Sequence, residues 1–239
     1  MISKNEIKEI RALGQKKFRD ERGLFVVEGE KLVDEALRSG FEIVGQYRVE
    51  DIGTEAMSRI SQLAHPSPAL AVIRQPRPVV LPAFGPDNLV LALDGIRDPG
   101  NLGTIIRIAD WFGIRQILAS EDTVELYNPK VVQATMGAIF RVRIHYCDLL
   151  RTLQSSGAFD GLPVYGTFLE GDDIYKAPLT SGGVIVMGSE ARGISPEMAA
   201  TVTRKLFIPP FPPGNRTGES LNVAVAAAIT CAEFRRRRS

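Results

Sequence analysis

From Asn88 onward, short apolar runs alternate with helical segments, and this alternation constrains the fold more than any other feature. Residues 89–93 (LVLAL) are apolar throughout, as a strand covered on both faces must be. A helix is predicted over 102–112, a strand over 116–119, a helix from Pro129 to about Ile139, and a strand over 141–146. Asp148 opens a further helix, strands follow at 164–169, 184–187 and 206–208, and a nearly all-apolar helix runs over 221–234. The pattern predicts an α/β fold with a mainly parallel sheet and helices on both faces. Residues 1–75 predict a separate small α/β unit, with helices at 5–13, 30–39 and 54–63, strands at 24–27, 41–49 and 69–73, and a charged loop at 14–23 (GQKKFRDERG). Prolines 76, 78, 82 and 86 cannot continue a helix or a central strand. Residues 76–87 therefore read as a linker between a domain at 1–75 and one at 88–239.

The balance of charge, 29 Lys+Arg against 28 Asp+Glu with 44% apolar residues, excludes a disordered acidic or basic chain. It argues against coating nucleic acid by bulk electrostatics, yet leaves room for a local basic site. No apolar run approaches the ~20 residues of a membrane span. The start, MISKNEIKEI, has no hydrophobic signal core, so a cytoplasmic location and no membrane partner are expected. Cys147 and Cys231 lack CxxC spacing and read as buried thiols. His65 and His145 stand alone, and no HExxH or Cys/His ligand spacing occurs, so no metal is expected.

Ligands of an open parallel sheet bind beyond the carboxyl ends of its strands. Three segments rich in glycine, proline and small polar residues follow strands: DGIRDPGNLGTIIR, GSEARGIS and PPFPPGNRTGESLN. The first two carry Gly-x-x-x-x-Gly spacing, but Asn101 and Ile194 stand where a phosphate-binding loop needs lysine. No Gly-x-Gly-x-x-Gly follows a strand, which disfavours the usual dinucleotide fold. Asn101 can cap a helix beginning at Leu102. Arg107, six residues on and about 240° round the helix, is embedded among Ile105, Ile106, Ile108, Ala109 and Trp111. It either faces a site or snorkels to solvent. Ser220 reads as the cap of the last helix and Asn222 as a first-turn residue, serving a ligand or capping alone. Glu190 is a cleft acid or a solvated one. The last helix is too apolar for a solvent face and belongs in a core or a subunit interface.

Taken in order, DPGNLGTIIRIADWFG (98–113), IVMGSEARGIS (185–195) and IPP…ESLNVAVAAAI (208–229), with NPKVVQATMGAIFRV (128–142), resemble the SpoU family of RNA ribose methyltransferases in the knotted SPOUT superfamily. Residues 16–37 and 68–73 resemble the substrate-binding domain found before the catalytic domain in many members, which is similar to small ribosomal RNA-binding proteins. The proline-rich IPPFPPGNRTGESLN departs from the usual short third motif, which implies a loop of different shape. The resemblance implies a trefoil-knotted methyltransferase domain and a homodimer with the last helix and the Arg107 helix near its interface. It implies S-adenosylmethionine held around Gly188, Ile208, Leu221, Met187 and Thr167, and transfer of its methyl to a ribose 2′-hydroxyl, with ribosomal RNA of the large subunit as the partner. Arg107, Asn101, Glu190, Ser220 and Asn222 are the implied catalytic set. Lys16, Lys17, Arg19 and Arg22, beside Phe18, form a basic cluster suited to RNA phosphates and stacking. The basic run 235–238 meets RNA or is a disordered end, and the second reading is preferred. Transfer-RNA ribose methylation, base methylation and a non-catalytic RNA-binding member stay open as alternatives.

Overall fold

The computed structural model describes residues 2–155, 157–212 and 220–237. Residues 213–219, which hold the Asn215-Arg216-Thr217 sequon and part of the third motif, lie outside them, as does Arg238. The chain forms two compact units: residues 1–78 with 125–141, and residues 79–124 with 142–239.

The first unit comprises α1 (Lys4–Ala12), α2 (Lys16–Arg22), β1 (Leu24–Glu28), α3 (Glu30–Arg38), β2 (Ile43–Arg48), α4 (Val49–Ile52), α5 (Thr54–Ile60) and β3 (Ala69–Arg74). Its antiparallel sheet has the order β1-β3-β2. Ser3 and Glu6 form a reciprocal capping box at α1, whose Ile7 and Ile10 enter a core with Leu13, Val26, Met57, Ile60, Leu70 and Val72. Glu28 is buried at the end of β1, where its carboxylate accepts from Ser61 Oγ and Gln62 N, both at 2.6 Å. Burial pushes its pKa up, and these two hydrogen bonds oppose the shift.

The segment expected as a charged loop is α2. Its i,i+4 pair Lys16–Asp20 (2.5 Å) supports a helix that Gly23 ends at φ 62°. Dense charge does not by itself make a loop, because opposite charges spaced by four favour helix.

The unit is completed by residues from far along the chain. Helix α7 (Pro129–Thr135), capped by Asn128, packs on β1. Tyr127 stacks on fully buried Phe25 with ring centroids 4.6 Å apart, and Phe140 meets Phe41 edge-on at 5.1 Å. Arg19 pairs with Glu125, and Arg141 with Glu35. The helix expected to reach Ile139 stops at Thr135. Met136 (φ 49°) and Gly137 (φ 94°) turn left-handed, and a short 3-10 turn, Ala138–Phe140, follows.

The second unit holds β4 (Leu89–Asp94), α6 (Pro99–Trp111), β5 (Gln116–Ala119), β6 (Arg143–Tyr146), α8 (Leu149–Gln154), β7 (Val164–Phe168), β8 (Asp172–Asp173), β9 (Gly183–Gly188), α9 (Pro196–Ala199), β10 (Arg204–Phe207) and α10 (Val223–Arg236). Its seven strands are all parallel, in the order β6-β5-β4-β9-β7-β10-β8. Strands β4 and β9 lie at the centre and are buried on both faces. Val90, Ala92, Val184 and Val186 pack with Leu149, Phe159, Ile194 and Met198. Helices α6 and α10 pack together, and Phe234 meets fully buried Tyr165 edge-on at 4.9 Å. Each such buried side chain contributes about 1.5–3 kcal/mol.

The basic end of the chain is ordered through Arg237, which corrects its reading as a disordered tail. Arg235 Nε donates to the Phe112 carbonyl (2.8 Å), and Arg236 and Arg237 both pair with buried Glu233. Hydrogen bonding from Arg236, then from Arg237, holds the Glu233 carboxyl below its ordinary pKa against the opposing effect of burial. Arg237 also donates to the carbonyls of Ile174, Tyr175 and Ala177. Cys231 is buried, its thiol pushed up to about 12 by burial, while Cys147 is half-buried; both are free.

Candidate active site at the carboxyl ends of the parallel strands

Strands β4 and β9 run side by side and end at Asp94 and Gly188, so the loops after them emerge together. After β4 the chain turns through Gly95 (φ 74°) into α6. The cap of that helix is Asp98, whose Oδ1 accepts from Asn101 N at 2.8 Å, with Pro99 in the first turn. Asn101 therefore lies inside the helix and is not its cap. The Asp-x-x-Asn spacing carried the signal, because an aspartate three residues ahead of an amide N–H is a capping geometry.

With capping assigned to Asp98, the Asn101 side chain is free for other contacts. Its Nδ2 donates to Glu190 Oε1 at 2.7 Å, and its Oδ1 accepts from Asn222 Nδ2 at 3.0 Å. Asn222, expected one position inside the last helix, is instead the N-cap of α10: its Oδ1 accepts from Ala224 N (2.9 Å) and Val225 N (3.3 Å). That fixes the direction of the whole chain of contacts. The α10 N–H groups take the Asn222 oxygen, so its amide nitrogen must face Asn101, whose own nitrogen is left for the carboxylate. Residues 101, 190 and 222, from three separate motifs, are thus joined by two hydrogen bonds.

Glu190 rides on a tight hairpin. Ser189 and Gly193 exchange backbone hydrogen bonds of 3.0 and 2.9 Å, and Ser189 Oγ accepts from Arg192 N. A side chain on buried Gly188 would stand 2.1 Å from the backbone of Gly193 and Ile194, so only glycine lets the hairpin close on the strand end. Ser195 N donates to Asp94 Oδ2 at 2.7 Å and fastens the hairpin to β4.

Arg107 lies six residues along α6 from Asn101, on a face with Thr104 and Trp111. It is exposed and has no hydrogen-bond or ion-pair partner among the described residues. Ser220 is exposed, two residues before the α10 cap, and has no partner among the described residues. The structure thus brings Asn101, Glu190 and Asn222 together and leaves Arg107 and Ser220 outside their hydrogen-bonded cluster.

The residues expected around a cofactor gather at neighbouring strand ends. Thr167 on β7 pairs with Leu206 on β10, and Thr167 Oγ1 lies 3.8 Å from Met187 Sδ on β9. Gly188 and Ile208 follow at the ends of β9 and β10, and half-exposed Leu221 precedes α10. Main-chain groups at three parallel strand ends, with Ile208 following β10 and Leu221 preceding α10, suit a purine nucleoside with a sulfur-bearing arm. No cluster of three or more His, Cys, Asp or Glu able to hold a metal occurs among the described residues, and no helix there is long and apolar enough to cross a membrane.

A network that the sequence did not suggest flanks the site. Ser120 Oγ accepts from Gly95 N (2.8 Å) and donates to Asp122 Oδ1 (2.7 Å), while Asp122 Oδ2 accepts from Arg97 (3.2 Å). Hydrogen bonding from Ser120, then the Arg97 guanidinium, holds the Asp122 carboxyl below its ordinary range.

The basic cluster of the first unit is largely committed to internal contacts. Arg19 is buried and donates to the Leu13 carbonyl and Glu125, which removes it from any RNA-facing set. Lys16 pairs with Asp20, and Arg22 donates to the Glu9 carbonyl. Lys17 is exposed, with its ammonium 5.9 Å from the Phe18 ring centroid.

Comparison with known proteins agrees with this geometry. The sequence pattern of the SpoU rRNA Methylase family matches residues 88–232, and that of the MRM3-like substrate binding domain matches residues 4–64. The chain is 30% identical to the 23S rRNA (guanosine(2553)-2'-O)-methyltransferase RlmP of Bacillus subtilis, over 95% of each chain. It superimposes on a putative RNA methyltransferase of the TrmH family from Porphyromonas gingivalis with a TM-score of 0.87, at 40% identity over 99% of both chains. An AdoMet-bound rRNA methyltransferase from Sinorhizobium meliloti gives 0.85, at 31% identity over 99% of this chain and 97% of the other. This family match, over more than half the chain, shows that the chain belongs to the SpoU rRNA methylase family.

Proposed function

We propose that the protein transfers the methyl group of S-adenosylmethionine to a ribose 2′-hydroxyl of ribosomal RNA, in the large subunit. The observation that carries this reading is the Asn222–Asn101–Glu190 chain, assembled by three motifs at the ends of parallel strands. The cofactor supplies an electrophilic methyl on a sulfonium. The protein must hold the hydroxyl in line with it, and alignment alone contributes several kcal/mol. A guanidinium stays protonated at working pH and cannot serve as a general base. Arg107 instead grips an RNA phosphate through two parallel N–H···O contacts beside the attacking oxygen. The 2′-hydroxyl proton passes to that phosphate or to another acceptor beside it. Asn101 holds Glu190 in place, Asn222 orients Asn101, and Ser220 adds a hydroxyl at the rim. The threaded knot, a cytoplasmic location and substrate binding by residues 1–75 belong to the same reading.

The test is incubation with labelled methyl donor and ribosomal RNA lacking the modification, followed by nuclease digestion and mass spectrometry. A 2′-O-methylated nucleoside is expected. A base-methylated nucleoside, or no incorporation, overturns the reading.

The protein acts as a homodimer in this reading. Trp111 is 85% exposed on α6, and Val225 (47% exposed) and Ala232 lie uncovered on adjoining α10, an apolar surface that a second copy would cover. Trp111→Glu and Val225→Glu, each placing a charge there, are expected to halve the mass seen in sedimentation equilibrium; an unchanged mass contradicts the assignment.

A further inference from the structure

Gly95 is where three strand-end loops meet. A methyl group on its Cα would stand 3.3 Å from an Asp122 carboxylate oxygen, after β5, and 3.7 Å from Ser189 Cβ, after β9. Its positive φ and this close approach together suit glycine. Two of the loops carry an arginine outward. Arg97 follows Gly95 by two residues and immediately precedes the cap Asp98. Arg192 sits in the hairpin that presents Glu190, and its side chain is exposed without a partner among the described residues. The Asn101–Glu190 bond joins these same two loops.

The Arg97–Asp122 pair is exposed on both sides, at 65% and 52% of the two side chains. Such a pair contributes little to stability, but Asp122 is itself oriented by Ser120, so it holds the guanidinium in one direction. A backbone phosphodiester offers a similar pair of acceptor oxygens with the same single charge, and a strand presents several such groups in a row, whose binding releases counterions. Aspartate in this position keeps the arginine aimed when no polyanion is bound and yields it when one arrives.

We infer that Arg97 and Arg192 form an RNA-backbone clamp beside the Asn101–Glu190 cluster, gripping phosphates next to the target nucleotide, with Asp122 as the resting partner of Arg97. This rests on the proposed activity and adds to it which residues bind the strand. Phosphate contacts fix register along a strand without reading its sequence, so the clamp sets position and leaves identity to other contacts.

The experiment measures equilibrium binding of ribosomal RNA across a salt series, with KM and kcat of methyl transfer, for Arg97→Ala, Arg192→Ala, the double variant, Arg97→Lys and Asp122→Asn. Each alanine is expected to weaken RNA binding about tenfold and to lower the salt slope by about 1. S-adenosylmethionine affinity and melting temperature stay as in the wild type. Arg97→Lys recovers part of the loss, and Asp122→Asn moves the opposite way, tightening RNA binding. Wild-type affinity and salt slope in the double variant overturn the clamp, as does loss of RNA binding that follows loss of thermal stability. If the wild type binds RNA but transfers no methyl, the proposed activity falls, and the salt series still decides the clamp.

Discussion

Arg107→Ala is expected to bind S-adenosylmethionine normally and to lose methyl transfer by about 10³-fold or more, the scale of removing a preorganised electrostatic contact to a reacting group. Arg107 is exposed and unpaired among the described residues, so its loss costs the fold little and removes the proposed phosphate grip. Arg107→Lys keeps the charge and loses the planar fork, and about 10²-fold lower turnover is expected. Single-turnover rates at saturating RNA, with cofactor affinity by calorimetry, separate the two properties. Near-normal turnover in Arg107→Lys removes the clamp mechanism, since a point charge would then suffice.

Arg19→Ala is expected to destabilise the first unit by about 3–5 kcal/mol, because it strands Glu125 beside a buried surface and leaves the Leu13 carbonyl without its donor. Arg19 Nε is itself buried without a partner among the described residues, so the pair is imperfectly satisfied. For that reason Arg19→Met combined with Glu125→Leu should recover most of the loss, as apolar replacement of buried ion pairs often does. Thermal or denaturant unfolding of the single and double variants measures both effects. A double variant as unstable as Arg19→Ala would show that the ion pair stabilises the unit in a way that apolar packing cannot replace.

The apolar runs place six of the seven parallel strands, while the two-residue edge strand β8, Asp172–Asp173, carries no apolar signal. Residues 89–93 and 184–187 are apolar on both faces, and the structure puts β4 and β9 at the centre of the sheet. The members of the candidate site were legible as motifs, but their connections were not. Asn101 was read as a cap because a local signal cannot show that Asp98 already fills that role. Once it does, the Asn101 amide turns to partners 89 and 121 positions away. Arg19 was read as RNA-facing because its neighbours in sequence are charged, whereas its burial depends on Glu125, 106 positions distant. Ser120 and Asp122 carry no motif; their network exists only because β5 ends beside β4.

The late arrival of residues 125–141 has a consequence for biosynthesis. When the first 78 residues have left the ribosome, Phe25, Arg19 and Glu35 still lack Tyr127, Glu125 and Arg141. The N-terminal unit therefore cannot finish folding before the chain has been translated past Arg141, by which point β4 and β5 already exist as nascent chain. Truncation at the linker would release an N-terminal fragment whose β1 lacks α7.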